Sequence, residues 1–178
     1  MWKLIGWILS RRIVATAIIN YAKRTPYFHL PSNDNPNYME RYWVFNPYMR
    51  ENNEQRGSKY PWFPWNIRVH HIKRHDREQH LHDHPWNART IILSGWYQEE
   101  RLVDHLPKPD FLSEPAWKKE THLRVRGDTA MVGYQQFHRI VRVMDGGAWT
   151  LFISGPYQGF WGFLVDGVKI HYKKYLKL

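Results

Sequence analysis

The sequence has no cysteine among its 178 residues. This absence excludes disulfide bonds, thiolate-bound zinc, iron–sulfur clusters and thiol nucleophiles. Histidine and carboxylate side chains are then the protein ligands that remain for a metal ion, and the chain has 11 histidines. A cysteine-free chain also fits a cytoplasmic location, which we take as the expectation.

Acidic residues are scarce, with 16 Asp and Glu against 26 Lys and Arg, and the net charge is +10. Such an excess favours nucleic acid or another acidic partner. The sequence lacks phosphate-binding glycine loops, nucleophile elbows and known nucleic-acid-binding signatures, which argues against nucleotide hydrolysis and serine esterase activity. A small-molecule substrate is therefore expected first and a nucleic-acid or acidic partner second, with a homo-oligomer left open.

Long apolar runs are also missing. Residues 2–24 carry apolar side chains at roughly helical spacing and predict a helix. Arg11 and Arg12 interrupt the run well short of the roughly 20 apolar residues that cross a bilayer, so no transmembrane segment is predicted. Packing of this helix across a sheet is the favoured interpretation, and attachment to a membrane surface is the alternative.

Short strand-like runs separated by turn residues dominate the chain from residue 66 onward. This pattern predicts a mostly β protein built as a single antiparallel β-barrel of jelly-roll type, in one structural domain. Residues 1–60 are expected to form an N-terminal helix and extension packed on the barrel, and residues 61–178 the barrel itself. The predicted strands are 38–45, 67–73, 80–84, 89–100 with a break near Gly95, 121–126, 129–134, 137–143 and 148–154, and the predicted loops are 31–37, 50–59 and 106–115.

Three histidines alternate along the stretch from residue 80 to residue 84. In an extended chain His80, His82 and His84 share one face, while Asp83 points to the other. One strand cannot complete a coordination sphere, so a second strand must contribute a ligand. His138, which opens a later predicted strand after a Gly-Asp turn, is the best candidate.

The same residues resemble the two sequence motifs of the cupin superfamily. The first motif has the form G-x5-H-x-H-x(3,4)-E-x6-G, and His82, His84 and Gly95 match it. The second has the form G-x5-P-x-G-x2-H-x3-N, and Gly127 and His138 match it. The departures are Asp76 at the opening glycine, Ala88 or Arg89 at the glutamate, and Gly133, Gln135 and Arg142 at the proline, glycine and asparagine of the second motif.

The resemblance implies a cupin, or double-stranded β-helix, fold with one divalent metal ion. It implies His82, His84 and His138 as ligands, with His80 as a further candidate, and leaves the metal open between iron, zinc, nickel and manganese. Without the motif's glutamate the site resembles the three-histidine cupins, among them the thiol dioxygenases, which bind ferrous iron. The implied activity is a metal-dependent enzyme, an oxygenase ahead of an isomerase or hydrolase, acting on a small anionic substrate.

A narrower resemblance concerns the run His-Asp-His-Pro-Trp at residues 82–86 and the run Ile-Leu-Ser-Gly-Trp-Tyr-Gln-Glu at 92–99. Both look like small cupin-like proteins encoded by tailed bacteriophages. This implies an alternative role as a non-catalytic accessory, virion or host-interaction protein, located in the host cytoplasm and in contact with nucleic acid.

Four residues are candidates for lining the pocket: Arg89, Tyr97, Glu99 and Tyr134. Arg89 shares a strand face with Ile91 and Leu93, and Tyr97 and Glu99 return to that face beyond Gly95. A cavity-facing guanidinium needs an anion, because an unpaired buried charge is very costly. An Arg89–Glu99 ion pair is the favoured partner, and a substrate carboxylate or phosphate is the alternative.

Overall fold

The structure is a computed structural model that describes residues 1–26, 38–51, 54–105 and 117–177. The loops predicted at 31–37 and 106–115 lie outside these ranges. The described helices are α1 (Trp2–Leu9), α2 (Arg12–Ala22) and α3 (Tyr172–Leu176). The described strands are β1 (Met39–Phe45), β2 (Tyr48–Glu51), β3 (Glu54–Ser58), β4 (Asn66–Ile72), β5 (Ala88–Ser94), β6 (Trp96–His105), β7 (Trp117–Val125), β8 (Thr129–Val132), β9 (His138–Val143), β10 (Ala148–Ser154), β11 (Gly162–Val165) and β12 (Val168–His171).

The stretch predicted as one N-terminal helix forms two. Arg11 has extended backbone, with φ −58° and ψ 133°, so α1 ends before it and α2 begins after it. The Ser10 hydroxyl donates to the Trp7 carbonyl at 3.1 Å at the end of α1. Both helices lie across the first sheet, and Ala15 and Ala22 of α2 are buried against it.

The strands form two antiparallel layers. The first sheet has the order β1-β4-β10-β5-β8, and the second contains β7-β6-β9. His82 is bridged on one side to His138 of β9 and on the other to Phe163 of β11, which carries the second layer on to the β11-β12 hairpin. In place of the loop predicted at 50–59, β2 and β3 pair as a hairpin.

The prediction of a single closed barrel needs correction. Among the described strands, the edges β1 and β8 of the first sheet pair with no strand of the second layer. Closure into a barrel requires a continuous ladder around the axis, and these edges interrupt it. The architecture is an open jelly-roll sandwich that is mostly β.

Residues 80–84 were also predicted as a full strand, and the structure has only the bridge at His82 there. The alternation nevertheless survives, because Leu81 and Asp83 are buried while His82 and His84 are half-buried. A reciprocal pair of backbone hydrogen bonds joins His82 to His138, at 2.9 and 2.8 Å. These bonds place the histidine stretch beside β9.

Apolar side chains cover both faces of the first sheet. Its outer face packs against the helices through Val69, Ile91, Leu93 and Leu151. Its inner face packs against the second layer. The buried residues at this contact are Ile72, Ile92 and Ala148 of the first sheet and Tyr97 and Ile140 of the second layer. The strands of a sheet that is buried on both faces have nearly continuous apolar sequences, and Ile-Ile-Leu at 91–93 is an example. None of the helices in the described ranges has the length and apolarity to cross a membrane.

Candidate metal centre

Three imidazoles converge between the two sheets. His82, His84 and His138 each offer a ring nitrogen, and these nitrogens all lie within 4.8 Å of one another. The ring centroids form a nearly equilateral triangle with sides of 5.2, 4.9 and 5.1 Å. The Nε2 atoms of His84 and His138 are 3.0 Å apart. This arrangement can offer three nitrogen ligands to one cation.

The backbone explains why these side chains meet. His138 opens β9, and its reciprocal hydrogen bonds with His82 fix the two residues opposite each other. His84 follows two residues later on the same side of the chain. Its ring stacks on Trp86, with centroids 5.8 Å apart and planes inclined by 14°. Asp83 points away as predicted, since its Oδ1 accepts from the Gly162 N–H at 2.8 Å.

A carboxylate lies behind His82. Asp76 Oδ2 is 3.9 Å from His82 Nδ1 and accepts a hydrogen bond from the Ile140 N–H at 2.7 Å. With Nδ1 turned toward Asp76, the Nε2 atom of His82 faces the other two histidines. Carboxylates commonly orient metal-binding imidazoles in this way. Asp76 is the residue that replaces the opening glycine of the first motif.

A second carboxylate lies behind His138. Glu99 Oε2 is 3.5 Å from His138 Nδ1, and Glu99 is only 1% exposed. Its Oε1 accepts from Arg101 Nε at 2.9 Å and Arg124 Nε at 2.6 Å. Burial by itself raises the pKa of Glu99, but His138, Arg101 and Arg124 bring that pKa down to about 2. Glu99 is therefore an anion throughout the physiological range.

Two of the three histidines, His82 and His84, are held neutral. Burial lowers the pKa of His82 to about 4, with Asp76 opposing the shift and His138 adding to it. Burial, together with the neighbouring His138 and His82, lowers the pKa of His84 well below its usual value. Neutral imidazoles have a free lone pair, so a metal ion would not have to displace protons from these two. The donor set fits a divalent transition metal such as iron, zinc or nickel.

Arg89 is not in the pocket, which corrects the predicted Arg89–Glu99 pair. Its guanidinium lies 4.4 Å from the Trp2 ring centroid and donates to Thr129 Oγ1 at 3.1 Å. Arg89 does share a face with Ile91 and Leu93, but that face packs under the helices. Strand alternation groups these residues correctly and cannot say which group points inward.

Two other pocket candidates lie apart from the histidines. Tyr97 is buried in the inner core, where its hydroxyl bonds to Thr90, and burial raises the pKa of Tyr97. Tyr134 lies under Gly159, with Lys169 Nζ 5.8 Å from its ring centroid.

His80, the further ligand candidate, also lies outside the group of three. Its Nδ1 is 2.8 Å from the hydroxyl of Tyr175 in α3, and the two rings meet edge to face. The first histidine of this stretch, His80, therefore contacts the C-terminal helix α3 and not the other two histidines of the stretch.

Sequence reasoning missed several residues that surround the centre. His70 is 8% exposed and stacks on Phe152 with centroids 4.8 Å apart, and its Nε2 has no hydrogen-bond partner within the described residues. Its neighbour His71 points the other way, where it stacks on Trp149. Alternation predicted that at most one of the two faces inward, and it is His70. Aromatic rings complete the surroundings of His82 and His84: Trp86, Phe152, Trp161 and Phe163.

No protein-family model matches the sequence, and a search of curated proteins found no match. Solved structures do resemble it. The DMSP lyase DddQ from Ruegeria pomeroyi DSS-3 has a TM-score of 0.51 and 12% identity, over 81% of this chain and 62% of the lyase chain. This likeness shows the fold alone.

Two further solved structures are similar at lower TM-scores. A cupin 2 conserved barrel domain protein from Rhodopseudomonas palustris has a TM-score of 0.47 and 12% identity, over 79% of this chain and 76% of that one. Oxalate decarboxylase from Bacillus subtilis, which has Mn(II) centres, has a TM-score of 0.48 and 12% identity, over 88% of this chain and 33% of that one.

Proposed function

We propose that this chain is a metal-dependent enzyme that holds one divalent metal ion on His82, His84 and His138 and acts on a small molecule between its two sheets. The observation that carries the proposal is the convergence of three ring nitrogens within 4.8 Å. Two of the three rings have a carboxylate behind them, which is unnecessary for histidines that only fill a core. A bound divalent ion would polarise a substrate oxygen or acidify a water molecule.

The residues around the centre have separate tasks in this proposal. Glu99 lies 3.5 Å from Nδ1 of His138, and Asp76 lies 3.9 Å from Nδ1 of His82. Each carboxylate would favour the tautomer that carries its proton on Nδ1, which leaves Nε2 free as a ligand. Arg101 and Arg124 hold Glu99 in its ionised form. The surrounding aromatic rings exclude water from the reacting atoms, which strengthens every charge interaction inside.

The substrate class follows from the charges near the pocket. Arg68 is 2% exposed, bonded to Ser154 Oγ at 3.0 Å, and its positive charge reaches His84 and His70, whose pKa values burial already lowers. Positive charge next to neutral imidazoles favours an anionic small molecule such as a carboxylate. An oxygenase is placed ahead of an isomerase or hydrolase because of the sequence resemblance to the three-histidine cupins, since three imidazoles suit each of these reactions. A bacteriophage origin stays a prediction from the sequence resemblance.

Metal analysis of the purified protein tests the proposal. After growth in metal-replete medium, the wild type should retain one ion per chain by elemental mass spectrometry, because three imidazoles converge on one point. His138→Ala and His84→Ala should lose that ion. His80→Ala is the matched control and should keep it, since His80 bonds to Tyr175 instead. Oxygen consumption with panels of small carboxylates then tests the reaction class.

Two results would count against the metal site: a wild type that retains no metal, or a His138→Ala variant as fully loaded as the wild type. A protein that binds metal and turns over none of the substrate classes would instead favour a non-catalytic binding protein.

A further inference from the structure

The N-terminal helices α1 and α2 have apolar side chains on both of their faces. Ile5, Leu9, Ile18 and Ile19 pack against the first sheet. On the opposite side, large apolar residues remain exposed to solvent. We call this set the outer apolar face, and it consists of Leu4 (61% exposed), Trp7 (55%), Ile8 (44%), Ile13 (86%) and Tyr21 (55%).

The outer apolar face is held in place by contacts on the other side of α1. Gly6 lies so close to the carbonyl of Gly127 that a methyl group at this position would collide with it. Arg126 Nε donates to the Ser10 carbonyl at 2.7 Å, and Arg89 stacks on Trp2. The helix cannot roll its exposed side chains inward without breaking these contacts. The outer apolar face is therefore a fixed surface of the fold.

The charged side chains of the N-terminal stretch that carries this face are all of one sign. Residues 1–26 contain no Asp or Glu. The same stretch contains five basic residues, and each of them is exposed: Lys3, Arg11, Arg12, Lys23 and Arg24. The Arg11 guanidinium lies 3.6 Å from the Trp7 ring centroid, so cation and aromatic ring share one patch. Whatever covers the outer apolar face must accept aliphatic side chains and supply negative charge at their rim.

We propose that the outer apolar face docks onto an anionic lipid surface. An interfacial helix places Leu, Ile and Trp among the acyl chains and Lys and Arg among the headgroups, which is the arrangement found here. Trp is enriched at that depth because its ring is apolar and its N–H is polar. The proposal does not depend on the metal centre.

Other occupants fit the same surface less well. A two-fold dimer through this face would bring the basic residues of the two copies together, with no acidic residue of the stretch to offset them. Nucleic acid would supply the phosphates but would leave Leu4 and Ile8 without an apolar partner, because its contacts are chiefly with phosphate oxygens and base edges.

Vesicle flotation of the full chain tests the proposal. The wild type should float with vesicles of phosphatidylcholine and phosphatidylglycerol, and weakly with pure phosphatidylcholine. Leu4→Gln combined with Trp7→Gln should weaken the partition at least about tenfold, since both side chains would leave the acyl region. Removing a single positive charge is expected to weaken the partition about fivefold. Arg12→Glu reverses the charge, so it should weaken the partition by more than that.

Trp62→Gln is the matched control, because Trp62 is 76% exposed and its ring contacts Tyr60 and Phe63, and it should float like the wild type. The thermal midpoint of each variant shows that it is folded. The proposal is overturned if the wild type stays with the unbound fraction, or if the double variant floats as well as the wild type. It is also overturned if the same substitutions abolish a dimer, or salt-sensitive DNA binding, with no effect on flotation.

Discussion

Two carboxylates of this protein reach the same pKa of about 2 in very different surroundings. Glu99 is inside the sandwich with its side chain 1% exposed. Glu40 lies at the edge strand β1 with its side chain 20% exposed, next to Lys73, and it accepts from the Tyr42 hydroxyl at 3.0 Å. For both, burial raises the pKa and polar neighbours more than offset it. Equal acidity thus does not imply equal dependence on those neighbours.

The difference lies in what remains when one neighbour is removed. Water can reach Glu40 and solvate the charge that is left, so the loss is small. Water cannot reach Glu99, and a charge left there without its cations keeps its full cost of burial. The interior cluster should therefore be far more sensitive to substitution than the edge cluster.

The largest expected effect is that of Arg101→Met, which removes one of the two guanidiniums beside Glu99. We expect a loss of about 3–5 kcal/mol in the free energy of unfolding, because the buried carboxylate loses a partner. The control is Arg139→Met. Arg139 pairs with Glu100 at 2.9 Å on the other face of the same sheet, with side chains 25% and 23% exposed, and Arg139→Met should lose about 0–1 kcal/mol. Urea unfolding measures both, and similar losses would contradict the distinction.

A smaller effect is expected on the metal centre. Glu99→Gln keeps the shape of the side chain and removes the negative charge behind His138, so the affinity for a divalent metal should fall about 10–100-fold. Glu40 contacts none of the three histidines, so the Glu40→Gln variant should bind metal like the wild type. Competition titration with a chromogenic chelator, on protein confirmed as folded by circular dichroism, compares the two. Equal affinities would show that Glu99 does not support His138.

The smallest effect concerns acid stability. The pKa of Glu40 is lowered from 4.5 to about 2, so its contribution is present above pH 4.5 and is lost as the pH falls toward 2. Glu40→Gln should therefore cost about 1 kcal/mol at neutral pH and nothing near pH 2. Urea midpoints measured across this range should converge at the acid end. A constant difference between the two proteins would indicate that the charge of Glu40 is not responsible.

Strand alternation predicted much of the fold correctly from local pattern. The break near Gly95 separates β5 from β6, where Gly95 has φ 76°, a value that favours glycine. The predicted strands 148–154 and 137–143 agree with β10 and β9 to within a residue. The helix break at Arg11 was missed, because apolar side chains at roughly helical spacing continue on both sides of it. Closure of the barrel could not be read from strand count, since it depends on pairing between distant edges.

The surroundings of the histidines were harder to predict than the histidines. Asp76 was noted only as a replaced glycine, and Glu99 was assigned to Arg89. Arg101 lies two residues from Glu99 on the same strand, and Arg124 lies on β7 opposite Tyr97, diagonally across from Glu99. Nothing in the sequence aligns β6 with β7 before the two strands are paired.

The sequence by itself determined the chemical inventory and the local pairings of this protein. It excluded cysteine ligands, put His82 and His84 on one side of the chain with Asp83 on the other, and marked His138 as their partner. Only the tertiary structure decided which face of each strand looks inward. Alternation defines two faces and treats them alike, and the choice between them is made by whatever packs on the sheet. The helices pack on the face of β5 that carries Arg89, so Arg89 lies outside the sandwich. Glu99 therefore pairs with Arg101 and Arg124. The opposite side of the same helices exposes an apolar, basic surface to solvent.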